Sequence, residues 1–313
     1  MPPPKFPFSP RPCCIRVSRS KMFTETYTAI VTPFKGGKVD EPALGRLIKL
    51  QVRGGVEGVV PVGTTGESPT LSYEEHIAVV DFTVRAVAGK IKVIAGTGAN
   101  STEEAIYLTK AAERAGADGS LQVAPYYNKP TQEGLYQHFH AIAKATKLPI
   151  LLYSIPGRCG IEIGVETVRR LAYDCKNIVG IKEAGGQPDR VSQIRAACGP
   201  KFNILSGDDS LTLPFMSVGA DGVISVASNV IPREVANMVR AFAEGRPAAA
   251  LKLHAKYFPL FRNLFVEANP GPVKAALAMM EIIDEELRLP LVRIEAKNRD
   301  LVRSTLRQCG ILK

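Results

Sequence analysis

Between residues 28 and 226 short apolar runs recur at near-regular intervals, each flanked by polar stretches of helical length. The runs cover 28–32, 58–62, 92–96, 119–123, 150–153, 178–182, 202–207 and 222–226. In the sixth, Ile178, Val179 and Ile181 supply the β-branched, apolar character of an interior strand. The segments between them carry helix signals. Ser72 with Glu75 and Ser101 with Glu104 have the spacing of capping boxes, in which a serine hydroxyl and a glutamate satisfy the first free N–H groups of a helix. Eight strand-then-helix units predict a parallel sheet closed on itself, a (β/α)8 TIM barrel. An open doubly wound sheet is the competing α/β arrangement, but TAIVTPFKGGK after the first run lacks its GxGxxG fingerprint. Beyond residue 226 only helical patterns remain, at 232–244, 248–265, 272–283 and 294–309. The first completes the barrel and the rest form a C-terminal helical appendage. The expected division is therefore a barrel at 22–244 and a helical unit at 245–313.

Residues 1–21 do not fit this pattern. They are rich in proline, contain Lys5, Arg11, Arg16, Arg19 and Lys21 and no acid, and read as a disordered basic leader before Met22. They supply half of the net charge of +10, so the body of the chain has no basic excess that would point to nucleic acid. No apolar run is long enough to span a membrane. The cysteines Cys13, Cys14, Cys159, Cys175, Cys198 and Cys309 form no CxxC pair and read as reduced thiols of a cytoplasmic protein. His138 and His140 are too close to share a helix face and there is no HExxH, so no metal is expected.

The candidate chemistry sits just past the strands, where barrels of this type place their active sites. The sixth run ends in Lys182, inside NIVGIKEAGG. Burial there disfavours the ammonium and lowers its pKa, giving an amine able to form a Schiff base with a carbonyl. The plain alternative is a lysine whose head reaches water or a carboxylate at the strand end. The second run ends in Gly63-Thr64-Thr65-Gly66-Glu67-Ser68, with hydroxyls and glycine-flanked N–H groups suited to a carboxylate. The fourth ends in Pro125-Tyr126-Tyr127 and the fifth in Tyr153-Ser154-Ile155-Pro156-Gly157-Arg158. Together these offer one amine, phenols and hydroxyls to move protons, and a guanidinium to bind a carboxylate bidentately.

GTTGES, APYYNKPTQEGLYQHF, LLYSIPGR, GIKEAGG, SGDDS, NPGPVK and LRLPL together resemble the 4-hydroxy-tetrahydrodipicolinate synthase (dihydrodipicolinate synthase) family. That family lies within the class I pyruvate-dependent aldolases and lyases, and the similarity runs from about Phe23 to the C-terminus. The resemblance implies an aldol condensation of pyruvate with L-aspartate 4-semialdehyde in lysine and diaminopimelate biosynthesis. It makes Lys182 the Schiff-base residue, Tyr153 the proton-shuttling phenol, and Thr64 and Tyr127 the rest of a hydroxyl relay, Tyr127 reaching in from a neighbouring subunit. Thr65 would hold the pyruvate carboxylate through its N–H, Ile224 would line the pyruvate pocket, and Arg158 would take the semialdehyde carboxylate. No external cofactor is implied. Ser154, Cys159 and Gly185 depart from the family pattern, which bears on substrate fit more than on imine chemistry.

The same resemblance implies a homotetramer, a dimer of dimers, and a feedback pocket for L-lysine at Ser68, His76, Asn100, Glu104 and Tyr126. Read without it, Ser68, His76 and Glu104 lie at helix starts and could simply cap or pair there. Two other readings remain open: a lyase of the same fold acting on N-acetylneuraminate or a 2-keto-3-deoxy sugar acid, and a non-catalytic barrel. The sialic-acid branch typically has a serine before the second threonine and lacks the arginine, so Arg158 and the Thr64-Thr65 pair carry most of the distinction.

Overall fold

The computed structural model describes residues 22–313; the leader at 1–21, with Cys13 and Cys14, lies outside the described residues. In chain order the strands are β1 (Glu25–Ala29), β2 (Phe34–Lys35), β3 (Lys38–Val39), β4 (Gly58–Val60), β5 (Lys92–Gly96), β6 (Gly119–Val123), β7 (Ile150–Ser154), β8 (Ile178–Glu183), β9 (Asn203–Ser206) and β10 (Gly222–Ser225). Eight of them close into a barrel in the order β1-β10-β9-β8-β7-β6-β5-β4, and β2 and β3 form a small separate antiparallel pair. Each barrel neighbour is parallel, and the last seam pairs Glu25 with Gly222. The fold is the expected TIM barrel.

The helices are α1 (Glu41–Gly54), α2 (Tyr73–Val87), α3 (Thr102–Ala115), α4 (Gln132–Ala145), α5 (Pro156–Cys159), α6 (Val165–Asp174), α7 (Pro188–Cys198), α8 (Thr212–Ser217), α9 (Pro232–Ala243), α10 (Pro247–Asn263), α11 (Gly271–Met279) and α12 (Ala296–Gln308). Their limits follow local chemistry. In α1 the Asp40 carboxylate accepts from Ala43 N, Ala43, Leu44, Leu47, Ile48 and Gln51 form the inward stripe, and Gly55 ends it in the left-handed region. The box at Ser72 and Glu75 is complete. At α3 Ser101 accepts from Glu104 N, but Glu104 bonds the Tyr73 hydroxyl and the reciprocal half of the expected box does not form.

The first strand lies three residues earlier than expected. Ile30, Val31 and Thr32 are buried, so their apolar character reads as strand, yet Val31 N donates to the Asn229 side chain at 3.2 Å instead of to the ladder. The second strand stops at Val60 because Pro61 has no N–H and Val62 turns to φ 49°. The third C-terminal helix ends at Met279, short of the expected 283.

The last three helices pack on the barrel without a break in the apolar core: Leu260, Phe261, Leu264 and Leu277 are buried with the barrel residues. Each such side chain contributes about 1.5–3 kcal/mol. Cys159, Cys175, Cys198 and Cys309 are free thiols. Among the described residues no helix is long and apolar enough to cross a membrane, and no three metal-ligating side chains cluster.

Candidate active site

The register of the barrel brings the phenol and the amine together. β7 and β8 pair with Tyr153 opposite Lys182. In parallel strands such partners point to the same side, and the Lys182 Nζ lies 4.2 Å from the centre of the Tyr153 ring. Lys182 is 6% exposed, and burial draws its amine from 10.5 down to about 7, with Arg158 adding to the fall. The negative charge of Asp209, just past β9, opposes the fall. Half the lysines are therefore unprotonated near neutrality, where a free-chain lysine would be almost wholly charged. Gly207 leaves room for the aliphatic stem, since a Cβ there would lie 3.0 Å from Lys182 Cε.

Burial pushes the Tyr153 phenol up to about 12, against smaller downward pulls from Arg158 and from a hydrogen bond with Thr64. It therefore stays protonated and can give a proton to a developing oxyanion. Thr64 comes from the turn after β4, which doubles back tightly: Gly66 N donates to Gly63 O at 3.0 Å and Glu67 N to Thr64 O at 3.1 Å. Glycine is required at position 66 because a Cβ would lie 2.8 Å from Val62 N. The bonds inside the turn are donated by Gly66, Glu67 and Ser68, not by Thr64 or Thr65. Thr65 is buried, and its hydroxyl accepts from Asn269 Nδ2 at 3.0 Å. Arg158, on the single turn of α5, is exposed at the rim and donates to Asn269 O at 3.2 Å.

A cavity opens at these strand ends, with Thr64, Tyr153, Arg158 and Cys159 in its wall together with Ser68 and Tyr126. Lys182 is not a wall residue and sits against Tyr153. Ile224 is fully buried in β10 and does not line this cavity. Tyr127 is not brought to it either: it is 91% exposed at φ 73°, a conformation that costs a non-glycine residue about 1–2 kcal/mol.

The residues expected to bind lysine are neighbours. Ser68 Oγ is 3.5 Å from His76 Nδ1, and Asn100 Nδ2 donates to Tyr126 O at 3.3 Å. Glu104 faces Tyr126 closely enough to help raise its phenol, after burial. Burial lowers His76 to about 4, so at neutral pH it offers an N–H and no positive charge.

The three departures have local accounts. Ser154 accepts from Ile163 N at 3.4 Å. A Cβ at Gly185 would lie 2.7 Å from Glu183 Oε1, which accepts from Gly185 N at 2.7 Å, so the glycine makes space for that carboxylate. Cys159 is buried, and its thiol is pushed up to about 11 by that burial.

Two residues at the site escaped the sequence reading. Asp209 is buried and accepts from Ser225 Oγ, Val226 N at 3.0 Å and Ala227 N at 2.9 Å. Burial nevertheless raises it to about 6. Its signal was the acidic pair of SGDDS at a strand end. Asn269 touches both Thr65 and Arg158, and only the NPGPVK motif marked it.

Comparison with known proteins gives the same picture. The model of the dihydrodipicolinate synthetase family matches residues 22–309. The 4-hydroxy-tetrahydrodipicolinate synthase of Persephonella marina is 50% identical over 293 residues, covering 93% of this chain and all of that protein. The structure of the 4-hydroxy-tetrahydrodipicolinate synthase of Methylacidiphilum fumariolicum SolV superposes with a TM-score of 0.92 at 57% identity, over 92% of this chain and 96% of that one. That of the Cyanidioschyzon merolae enzyme with lysine bound gives 0.90 at 46% identity, over 93% and 99%. The family model spans nearly all of the described chain and the relative is half identical along its whole length. The chain belongs to the dihydrodipicolinate synthetase family.

Proposed function

We propose that this chain condenses pyruvate with L-aspartate 4-semialdehyde to 4-hydroxy-tetrahydrodipicolinate, a step of lysine and diaminopimelate biosynthesis. The observation that carries the reading is the Lys182 amine, drawn to about 7 by burial and held 4.2 Å from the Tyr153 ring. Lys182 attacks the pyruvate carbonyl, and loss of water leaves an imine. Loss of a methyl proton gives the enamine, whose carbon adds to the semialdehyde aldehyde. The amine of the adduct then attacks the imine carbon, closing the ring and returning Lys182 as a free amine. One water is released overall. The lysine serves as the electron sink, so the route calls on no external cofactor.

In this reading Tyr153, protonated at neutral pH, passes protons with Thr64 and with Tyr127 of an adjoining subunit. The N–H of Thr65 holds the pyruvate carboxylate, Arg158 takes that of the semialdehyde, and Ile224 backs the pyruvate pocket. The outward position of Tyr127 supports a homotetramer built as a dimer of dimers, in which it completes a neighbour's site. The barrel at 22–244 then carries the chemistry, and the helical unit at 245–313 covers one side of it. L-lysine is proposed as an inhibitor at Ser68, His76, Asn100, Glu104 and Tyr126. The grouping of these residues and the lysine-bound relative support this. The cytoplasm is the proposed location.

Incubation with pyruvate and borohydride should leave a stable mass adduct on Lys182, and addition of the semialdehyde to unreduced enzyme should consume both substrates. An adduct on another residue, or none, would sink the mechanism. An adduct accompanied by cleavage of N-acetylneuraminate or a 2-keto-3-deoxy sugar acid, without condensation, would move the chain to another branch of the fold.

A further inference from the structure

Lys274, on α11, is completely buried, and so is its ion-pair partner Glu67, which lies two residues past Thr65 in the turn after β4. Lys274 Nζ also donates to Glu286 O at 2.9 Å and lies 4.2 Å from the centre of the Phe34 ring. Burial pulls this lysine down to about 8 while Glu67 pulls it up, so it is largely charged at neutral pH. A buried pair of full charges is a costly way to hold two elements together, and apolar residues of similar volume often do so as well or better. Its presence beside the catalytic turn therefore points to placement.

The turn needs holding. Glu67 adopts φ 55°, a left-handed conformation that a side chain disfavours, and Glu67 N is bonded to Thr64 O. The other Glu67 oxygen, Oε2, accepts from Arg288 N at 3.1 Å. The Arg288 guanidinium grips Glu75 with two contacts of 2.6 Å and so ties the same C-terminal segment to the start of α2. Thr65 is held independently by Asn269. Displacement of the Glu67 carboxylate passes through its own backbone to the Thr64 carbonyl, and from there to the hydroxyl that meets Tyr153.

We propose that Glu67 and Lys274 are positioning residues for the pyruvate half-reaction: their buried ion pair fixes the turn so that the Thr64 hydroxyl meets Tyr153 and the Thr65 N–H faces the carboxylate of the keto acid. The assignment rests on the function proposed above. Neither residue touches substrate.

The test uses the full chain with Glu67→Gln, Lys274→Met and the double variant, which leaves no charge unpaired. Each single variant is expected to raise KM for pyruvate, read as the pyruvate concentration that half-saturates imine formation, at least tenfold while saturating pyruvate and borohydride still label Lys182. The double variant is expected to regain the thermal stability lost by the singles without regaining KM, which separates placement from stability. A double variant with wild-type KM would overturn the proposal, as would folded singles with unchanged KM. If only the double variant folds, its KM decides. If none folds, the pair is a folding element and the proposal fails. Wild-type enzyme that forms the adduct but does not condense it with the semialdehyde counts against the proposed reaction, not against the role of the pair, which is read from pyruvate alone.

Discussion

At the scale of single residues the site depends on a lysine kept against its preference. The rate of pyruvate imine formation should rise with pH through about 7 and level off above it, because only the unprotonated amine attacks. Asp209 is the group that favours the ammonium, so Asp209→Asn should move that limb to lower pH. A rapid-mixing pH profile in which the limb stays put or moves up would contradict this. The depressed value has a second effect. Between pH 7 and 10.5 an unfolded chain holds a proton on this lysine that the folded chain has released, so its contribution to stability improves as pH rises through that window. Below it the full cost applies, on the order of 5 kcal/mol for the charged amine. Lys182→Met should therefore abolish the adduct yet stabilise the fold by ~2 kcal/mol or more at pH 6, with an advantage that shrinks towards pH 10. Denaturant titrations at the two pH values check the sign.

At the scale of elements, the chain announced its strands well where a β-branched run ended in glycine or a chemistry-bearing residue, as in IVGIK and KVIAG. It misled where burial continued without a ladder, as at Val31, and where Pro61 cut a run short. The β2–β3 pair was missed because two-residue strands give no periodicity, although Gly36-Gly37 between them is a hairpin signal. Lys182, Tyr153 and Thr64 were legible because strand ends of a barrel converge. Asp209 and Asn269 were not, because a buried polar group is explained by partners that only the fold supplies. Barrel closure adds one more requirement. At the β1–β10 seam Gly222 has φ 150°, and a Cβ there would lie 1.9 Å from Glu25 O. Gly222→Ala should destabilise by at least ~3 kcal/mol, since backbone on both sides of the seam must move. A melting temperature within a degree of wild type would show that the seam gives way more easily than this geometry implies.

At the scale of the whole molecule, Tyr127 is the residue whose proposed role one chain cannot express. If it completes a neighbour's site, Tyr127→Phe and Lys182→Met subunits should each be nearly inactive alone, yet a mixed assembly should recover activity. In a mixed pair one site then holds both lesions and the other none. Mixing after dissociation and reassociation, followed by assay, reads this directly, and no recovery would place the tyrosine outside the relay. The ties between the turn after β4 and the C-terminal segment have a different consequence, in the order of events on the ribosome. Thr65 is bonded to a residue 204 positions further along, and Glu67 to Arg288, 221 positions further. At the usual pace of synthesis this separation lasts on the order of 10–40 s. Lys182 and Tyr153 are both made within that interval, before the parts that shape their pocket exist. A chain abandoned early thus carries the reactive amine without the surroundings that direct it, and competence to handle a keto acid arrives only once synthesis has passed Arg288.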